Sequence, residues 1–297
     1  MIQQDGHCRH GGGLLLLVIL FVSSPLHAAE VVEGTLHPGT ATLQPANRNA
    51  SPEAHAVLRY LESLTSKKEK RIISGQFESW GQANKPLDDP ENWNNQVYRQ
   101  TGKWPGVVGV EYHAGGVHTK EPNAVCLEHW RRGGLVQLYL IMRNPAAPKN
   151  PNASGRCDID LVLKKGHPYN TVFFKELGEV AAGLKELQRK RVVVFVNMFA
   201  EHTGKWFWWG AQETEKFKRL HRAAFTFLTE THGLDNLLFI YEPSGGHKTA
   251  VDYYPGDRYV DMIGISLFVN NTEELQAKHI PMYKRLVALG KPIALDR

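Results

Sequence analysis

The chain has 297 residues, of which 42% are hydrophobic and 22% are charged, and its formal net charge is +5. This length allows one large barrel or two ordinary domains, and the charged fraction is not that of a disordered chain. Basic and acidic residues are interspersed, as in KKEKR and ETEKFKRLHR. That pattern is typical of solvated helix faces, and we expect no nucleic-acid partner.

The first thirty residues differ in composition from the rest of the chain. Arg9 and His10 precede the apolar run GGGLLLLVILFV, and small residues follow up to Ala29. This order predicts a signal peptide at residues 1–29. The run is shorter than the ~20 apolar residues of a membrane span. We therefore expect a secreted or periplasmic protein without stable membrane insertion, and a retained N-terminal anchor is the alternative.

Residues 30–50 have no hydrophobic periodicity and are rich in Thr, Pro, Ala and Asn, which predicts a linker. The pattern changes at Ser51, where SPEAHAVLRYLESLTSKKEK has the Pro, early acids and late lysines of a helix. Two further stretches, VFFKELGEVAAGLKELQRK and ETEKFKRLHRAAFTFLTETHG, are also predicted to be helical.

Seven short apolar runs alternate with these longer amphipathic stretches. They are RIISGQF, PGVVGVEY, GGLVQLYLI, RVVVFVNMF, NLLFIYEP, YVDMIGISLF and KPIAL. Such alternation predicts a parallel sheet built from βαβ units, and here it favours a (β/α)8 TIM barrel over residues 51–297. Only seven strands are visible, so the eighth strand and helix are expected to be missing.

Polar side chains follow several of the predicted strands. Barrel enzymes build their active sites at the carboxyl ends of the strands, and carboxylates there suit acid/base work on an acetal. A helix cap or a surface ion pair is the alternative for any one of them. The residues at these positions are Gln76, Glu78, Glu111, His113, Arg143, Asn144, Glu201 and Glu242.

Glu201 is followed by a run of aromatic residues, Trp206, Phe207, Trp208 and Trp209. Such a loop is costly to expose unless something covers it. Flat rings can pack against the apolar faces of sugars, which predicts a carbohydrate-binding platform. A loop whose rings plug the barrel rim is the alternative, and we expect at least one of the four to be purely structural.

The segment GKWFWWG, with Glu201 three residues before it, resembles the acid/base segment of glycoside hydrolase family 26, mostly endo-β-1,4-mannanases. IISGQF, WRRGGLVQLYLIMRNP, YYPGDRYVDMIGISLF and GKPIAL resemble the first, third, sixth and seventh strands of that family in the same order. The resemblance runs from about Arg71 to the C-terminus, and the tryptophan run is its most specific part.

The resemblance implies a retaining glycosidase that acts on β-1,4-mannan or a related polysaccharide or oligosaccharide. Glu201 matches the catalytic acid/base, and a second carboxylate attacks the anomeric carbon. The chemistry needs no metal and no organic cofactor. The residues expected to bind substrate are Trp206, Phe207, Trp209, His113, Asn144 and Glu242.

The sequence departs from the family pattern at several positions. Ala200 stands where the family has a His before the acid/base, Ile141 replaces a substrate-binding His, and Phe268 replaces a Tyr that supports the nucleophile. The nucleophilic Glu is expected at or just after the seventh strand, where this sequence has Asp296 and Arg297. A non-catalytic or vestigial carbohydrate-binding homologue is therefore the alternative function.

Overall fold

The seven apolar runs form one parallel sheet in the computed structural model, which describes residues 43–66, 72–78, 85–113, 118–150 and 152–296. The predicted signal peptide lies outside these residues. The strands are β1 (Gly75–Phe77), β2 (Val107–Tyr112), β3 (Leu135–Leu140), β4 (Val194–Asn197), β5 (Leu237–Tyr241), β6 (Met262–Ser266) and β7 (Ile293–Asp296).

Each strand pairs in parallel with the next strand along the chain, in the order β1 to β7. Val107 of β2 is in register with Leu135 of β3, and Ser266 of β6 is in register with Asp296 of β7. In the described residues, β1 and β7 each pair on one side only. The structure thus confirms the predicted (β/α)8-type barrel with seven of its eight units.

Helices separate most of the strands, as parallel pairing requires. They are α1 (Pro52–Ser66), α2 (Trp93–Thr101), α3 (Lys120–Arg131), α4 (Ile159–Leu163), α5 (Pro168–Arg189), α6 (Thr214–Thr226), α7 (Thr272–Glu274) and α8 (Ile280–Val287). The three stretches predicted to be helical correspond to α1, α5 and α6. No helix in the described ranges has the length and apolarity needed to cross a bilayer.

Alternate residues of the strands contribute to two separate cores. In β4 and β5, Val194 and Phe239 belong to the larger core, which also contains apolar residues of α3, α5 and α6. Phe195 and Leu238 belong to the smaller core, which they share with Leu58 and its neighbours on α1. This two-residue alternation is the pleat of a strand with both faces buried.

The segment before α1 is bound to the amino-terminal side of the sheet. The backbone N–H of Ala46 and that of Phe239 each donate to one oxygen of Asp261, both at 2.7 Å. The backbone N–H of Ser51 donates to the carbonyl of Asp235 at 2.7 Å. These bonds hold α1 against the end of the sheet opposite to the carboxyl ends of the strands.

Cys126 on α3 and Cys157 before α4 are separate, buried thiols. No disulfide therefore joins these two residues. Burial raises the pKa of Cys126 to about 12 and that of Cys157 to about 11. Both thiols are protonated at neutral pH, which makes them poor nucleophiles.

Candidate active site

Glu201 lies just beyond the carboxyl end of β4, where the chain turns sharply. Its φ of 52° is in the left-handed region, which costs a non-glycine residue roughly 1–2 kcal/mol. The carbonyl of Glu201 accepts hydrogen bonds from Ser244 Oγ at 3.0 Å and from the N–H of Gly204 at 2.8 Å. These bonds stabilise the turn that aims the carboxylate at the mouth of the barrel.

The carboxylate of Glu201 is held by donors on both of its oxygens. Oε2 accepts from Trp206 Nε1 at 2.6 Å, and Oε1 accepts from Ser266 Oγ at 2.6 Å. The residue is only 5% exposed, yet it borders an open cleft of about 400 Å³, the acid cleft. The acid cleft is lined by Glu201, Trp206, Ser244, His247, Ser266 and Phe268.

Glu242 directly follows β5 and is the second carboxylate of this region. Oε2 accepts a hydrogen bond from Asn197 Nδ2, and Oε1 lies 3.0 Å from Ser266 Oγ. Glu242 is 1% exposed, so it lies behind Glu201 rather than on the surface of the cleft. Contact between Glu242 and substrate stays a prediction.

The four aromatic residues after Glu201 have different environments. Trp206 is 49% exposed and Phe207 is partly buried, whereas Trp208 and Trp209 are completely buried. Trp209 Nε1 donates to the carbonyl of Ala200 at 2.9 Å. The ring of Trp209 is covered by the protein in this structure, and its contact with substrate stays a prediction. The expectation that at least one of the four is structural is confirmed, and two are.

A second cleft of about 250 Å³ lies on the other side of Trp206. His113 borders it, half exposed, with Nδ1 3.1 Å from Oε1 of the buried Glu111. Its hydrogen bond to Glu111 raises the pKa of His113. The second cleft is lined by residues that include Glu111, His113, Ile141, Asn152, Ser154, Trp206 and Phe207. Trp206 thus borders both clefts.

Asn144 shapes the loop after β3 instead of offering an amide to a ligand. Nδ2 donates to the carbonyl of Ser154 at 2.8 Å, and Oδ1 accepts from the N–H of Ala146 at 2.9 Å. The residue is 3% exposed. Direct binding of substrate by Asn144 stays a prediction.

Two residues of the site were not predicted from the sequence as site residues. Ser266 is the last residue of β6 and Asn197 is the last of β4, so the rule that sites form at strand ends would have found both. Ser266 lies in the apolar run YVDMIGISLF, where a single hydroxyl gives little signal.

Two buried histidines, His202 and His221, lie behind the loop that follows Glu201. The ring of His202 stacks on Phe217 at 4.3 Å, and His221 lies 6.2 Å from the same ring. Neither ring nitrogen of His221 has a hydrogen-bond partner among the described residues. Burial, aided by Arg222, lowers the pKa of His221 to about 3, and burial lowers that of His202 well below its ordinary value. Both rings are neutral in the folded protein.

We expect His221 to make the fold sensitive to acid. Between pH 3 and 6.5 the unfolded chain binds a proton at this residue and the folded chain does not, so stability is lost as the pH falls below about 6.5. From about pH 7 to about pH 5 the loss is about 2 kcal/mol. His221→Met should remove that part of the loss, as measured by urea unfolding at both pH values.

The exposed His118 provides the control. His118→Gln should show the same loss of stability as the wild type. Burial raises the pKa of Glu78 to about 7 and that of Asp261 to about 6, which opposes the histidine effect. For that reason the loss of unfolding free energy between the two pH values should be compared among the wild type, His221→Met and His118→Gln. Equal losses in the wild type and in His221→Met would show that His221 does not titrate this way.

A carboxylate on a cleft wall, an aromatic ring beside it and a parallel βα barrel beneath them are the features expected of a barrel glycosidase. The sequence profile of Glycosyl hydrolase family 26 matches residues 46–297. The chain belongs to that family.

Similar proteins agree with this assignment. The chain is 28% identical over 302 residues to a mannan endo-1,4-β-mannosidase of Bacillus subtilis strain 168, over 94% of this chain and 78% of the relative. It is 27% identical to mannan endo-1,4-β-mannosidase A and B of Caldalkalibacillus mannanilyticus, over 84% of this chain and 50% of that protein. The solved structure of Bacillus subtilis mannanase man26 superposes with a TM-score of 0.72 at 25% identity, covering 85% of this chain and 79% of that one.

Proposed function

We propose that this protein hydrolyses β-1,4-mannan or a related β-glycan, with Glu201 as the general acid/base. The observation that carries the proposal is the position of Glu201, on the wall of the acid cleft at the carboxyl end of β4, in a chain of family 26. The relatives of similar sequence are named as mannan endo-1,4-β-mannosidases. Trp206 beside the carboxylate offers a flat apolar surface for a sugar ring.

We further propose that hydrolysis proceeds with retention of configuration. Glu201 donates a proton to the glycosidic oxygen while a second carboxylate, ~5–5.5 Å away, attacks the anomeric carbon. Asp296 at the end of β7 is the candidate for that carboxylate, because its backbone is in register with Ser266, which contacts Glu201. Glu242 is less suited, since it is 1% exposed.

Incubation with mannan tests the activity. We expect reducing ends to appear, and proton NMR of the first product should show the β-anomer before mutarotation. Retention of the protein on mannan without release of reducing ends would instead support the non-catalytic, carbohydrate-binding alternative. An initial α-product would exclude the retaining mechanism.

We propose that residues 1–29 direct export and are then removed. Mannan is a polymer that does not cross membranes, so an enzyme that degrades it acts outside the cytoplasm. N-terminal sequencing of the exported protein should give a start near Glu30. An intact N-terminus on membrane-bound protein would indicate the retained anchor.

We expect Trp206→Ala to weaken binding of a manno-oligosaccharide by on the order of 1–3 kcal/mol, because a half-exposed ring that borders both clefts is removed. Calorimetry on a Glu201→Gln background avoids hydrolysis during the measurement. Trp206→Phe is the matched variant, since it keeps a ring and removes the indole N–H. Its binding loss should be the smaller of the two, and unchanged binding in the Ala variant would remove Trp206 from the sugar site.

A further inference from the structure

Two hydrogen bonds link the turn that carries Glu201 to the chain that follows β5. Ser244 Oγ donates to the carbonyl of Glu201 at 3.0 Å, because a carbonyl oxygen can only accept. The backbone N–H of Ser244 donates to Thr203 Oγ1 at 2.9 Å. Ser244 and Thr203 are both buried. These two bonds, from Ser244 to Glu201 and to Thr203, are called the acid-turn clamp below.

The segment that carries Ser244 is fixed to the neighbouring strand. The N–H of Ser266 on β6 donates to the carbonyl of Pro243 at 3.3 Å, and the N–H of Gly245 donates to the carbonyl of Ser266 at 2.7 Å. A Cβ atom at Gly245 would lie 2.5 Å from that carbonyl oxygen, so glycine is required for this close approach. Ser244 is therefore held by the sheet on both sides along the chain.

The backbone of Glu201 is in a conformation that its surroundings must impose. Its φ of 52° lies in the left-handed region, and such strain persists in a non-glycine residue where neighbouring groups hold it. The N–H of Gly204 donates to the Glu201 carbonyl at 2.8 Å, but this bond lies within the turn itself. The bond from Ser244 joins the same carbonyl to another strand of the barrel, and so fixes the turn relative to the sheet.

The position of the turn determines the position of the carboxyl group. The side chain of Glu201 leaves the Cα atom next to the clamped carbonyl, so a rotation of that peptide also moves the carboxyl oxygens. A general acid must come within ~2.6–3.2 Å of the oxygen that it protonates. A displacement of ~1 Å can lower the rate by as much as ~10²-fold.

We propose that Ser244 and Thr203 are positioning residues for general acid catalysis, an inference that rests on the proposed function of Glu201. Ser244 acts through the backbone of the turn, and the transferred proton belongs to the carboxyl group of Glu201. Thr203 completes the clamp by accepting from the N–H of Ser244. Ser244 also borders the acid cleft, so direct binding of a sugar by its hydroxyl is the alternative that the experiments must separate.

Ser244→Ala removes the hydroxyl and keeps the backbone N–H that bonds Thr203. Its kcat on mannan should fall by about 10–100-fold, and KM should stay near the wild-type value. An activated aryl glycoside departs without protonation, so it should form the glycosyl-enzyme at nearly the wild-type rate. Equal slowing of both substrates in this step would overturn the proposal, since a merely structural defect affects them alike. Thermal unfolding shows whether the variant is folded.

The same substitution on a Glu201→Gln background separates positioning from sugar binding. Ser244→Ala should cause no further loss of mannan hydrolysis there, because the acid that it positions is already absent. Calorimetry with a manno-oligosaccharide should give equal affinities for the single and the double variant. A lower affinity, or the same slowing in both backgrounds, would show that Ser244 acts on the sugar directly. Full activity of Glu201→Gln on mannan would refute the proposed function instead.

Thr203 gives a second test that stands even if Ser244→Ala fails to fold. Thr203→Val keeps the shape and removes the acceptor of the Ser244 N–H, so it should slow mannan and spare the aryl glycoside. Thr203→Ser keeps the hydroxyl and should restore mannan hydrolysis. Thr229→Val is the matched control, because it removes a buried hydroxyl that donates to the carbonyl of Phe225 just after α6, and both rates should be unchanged. Equal mannan rates for Thr203→Val and Thr203→Ser would contradict the role of the clamp.

Discussion

Replacement of Glu201 by Gln is expected to lower the rate of mannan hydrolysis by about 10²–10⁴-fold, the usual contribution of general acid–base catalysis. Gln keeps the size of Glu, and its amide can still accept from Trp206 Nε1 and donate to Ser266 Oγ. The variant should therefore fold like the wild type and lack only the transferable proton. Reducing-end assays on mannan, alongside thermal unfolding of both proteins, measure the two properties separately.

The leaving group provides an internal control for this prediction. An activated aryl glycoside departs without protonation, so formation of the glycosyl-enzyme should be slowed much less in Glu201→Gln. Breakdown of that intermediate should be slow, because the same residue must then act as the base. Burst kinetics with the aryl substrate would reveal this difference. Equal slowing of both substrates in the first step would argue against a role as acid.

The largest expected loss of stability is for Trp208→Ala, at about 3–5 kcal/mol of unfolding free energy. Trp208 is completely buried and packs edge-on against Phe173 at 5.8 Å and Trp209 at 5.6 Å. Its Nε1 donates to the carbonyl of Met142 at 3.1 Å. The substitution leaves both a cavity and an unpaired carbonyl, and denaturant unfolding measures their combined cost.

Trp206→Ala is the matched control, since it removes the same side chain from the same loop at a position that is 49% exposed. Its unfolding free energy should stay close to that of the wild type. Together the two variants separate the ring that faces the cleft from the ring that supports the loop. Similar losses in both would show that the whole aromatic run is one structural unit.

The fold was predictable because strands that are buried on both faces consist of nearly continuous apolar residues, which are visible in the sequence. Each of the seven apolar runs overlaps an observed strand, although β1 covers only three residues of its run and Ile72, in the same run, is 51% exposed. The strand-end rule also placed Glu201 and Glu242 on the correct side of the barrel. The strands and the strand-end positions depend on the type and order of residues, and both can be read from the sequence.

The roles of individual side chains depended on the path of the loops, which residue type does not encode. Four consecutive aromatic residues look alike in sequence, yet the left-handed turn at Glu201 brings Trp206 to the cleft and Trp209 into the core. Asn144 hydrogen-bonds its own loop, a role that its residue type alone does not indicate. Ser266 gave no signal alone, because its importance comes from the two carboxylates that other strands bring to it.

Under the proposed function, the position of Trp206 between two clefts separates the reaction at Glu201 from the choice of glycan. The acid cleft belongs to the loops after β4, β5 and β6, whereas Ile141, Asn152 and Ser154 of the second cleft come from the chain after β3. Natural variation or a directed-evolution library confined to these three positions can change which backbone sugars or side branches are accepted. Such changes leave Glu201 and its hydrogen bonds unaltered, so under the proposed function the accepted glycan can change while the reaction stays the same.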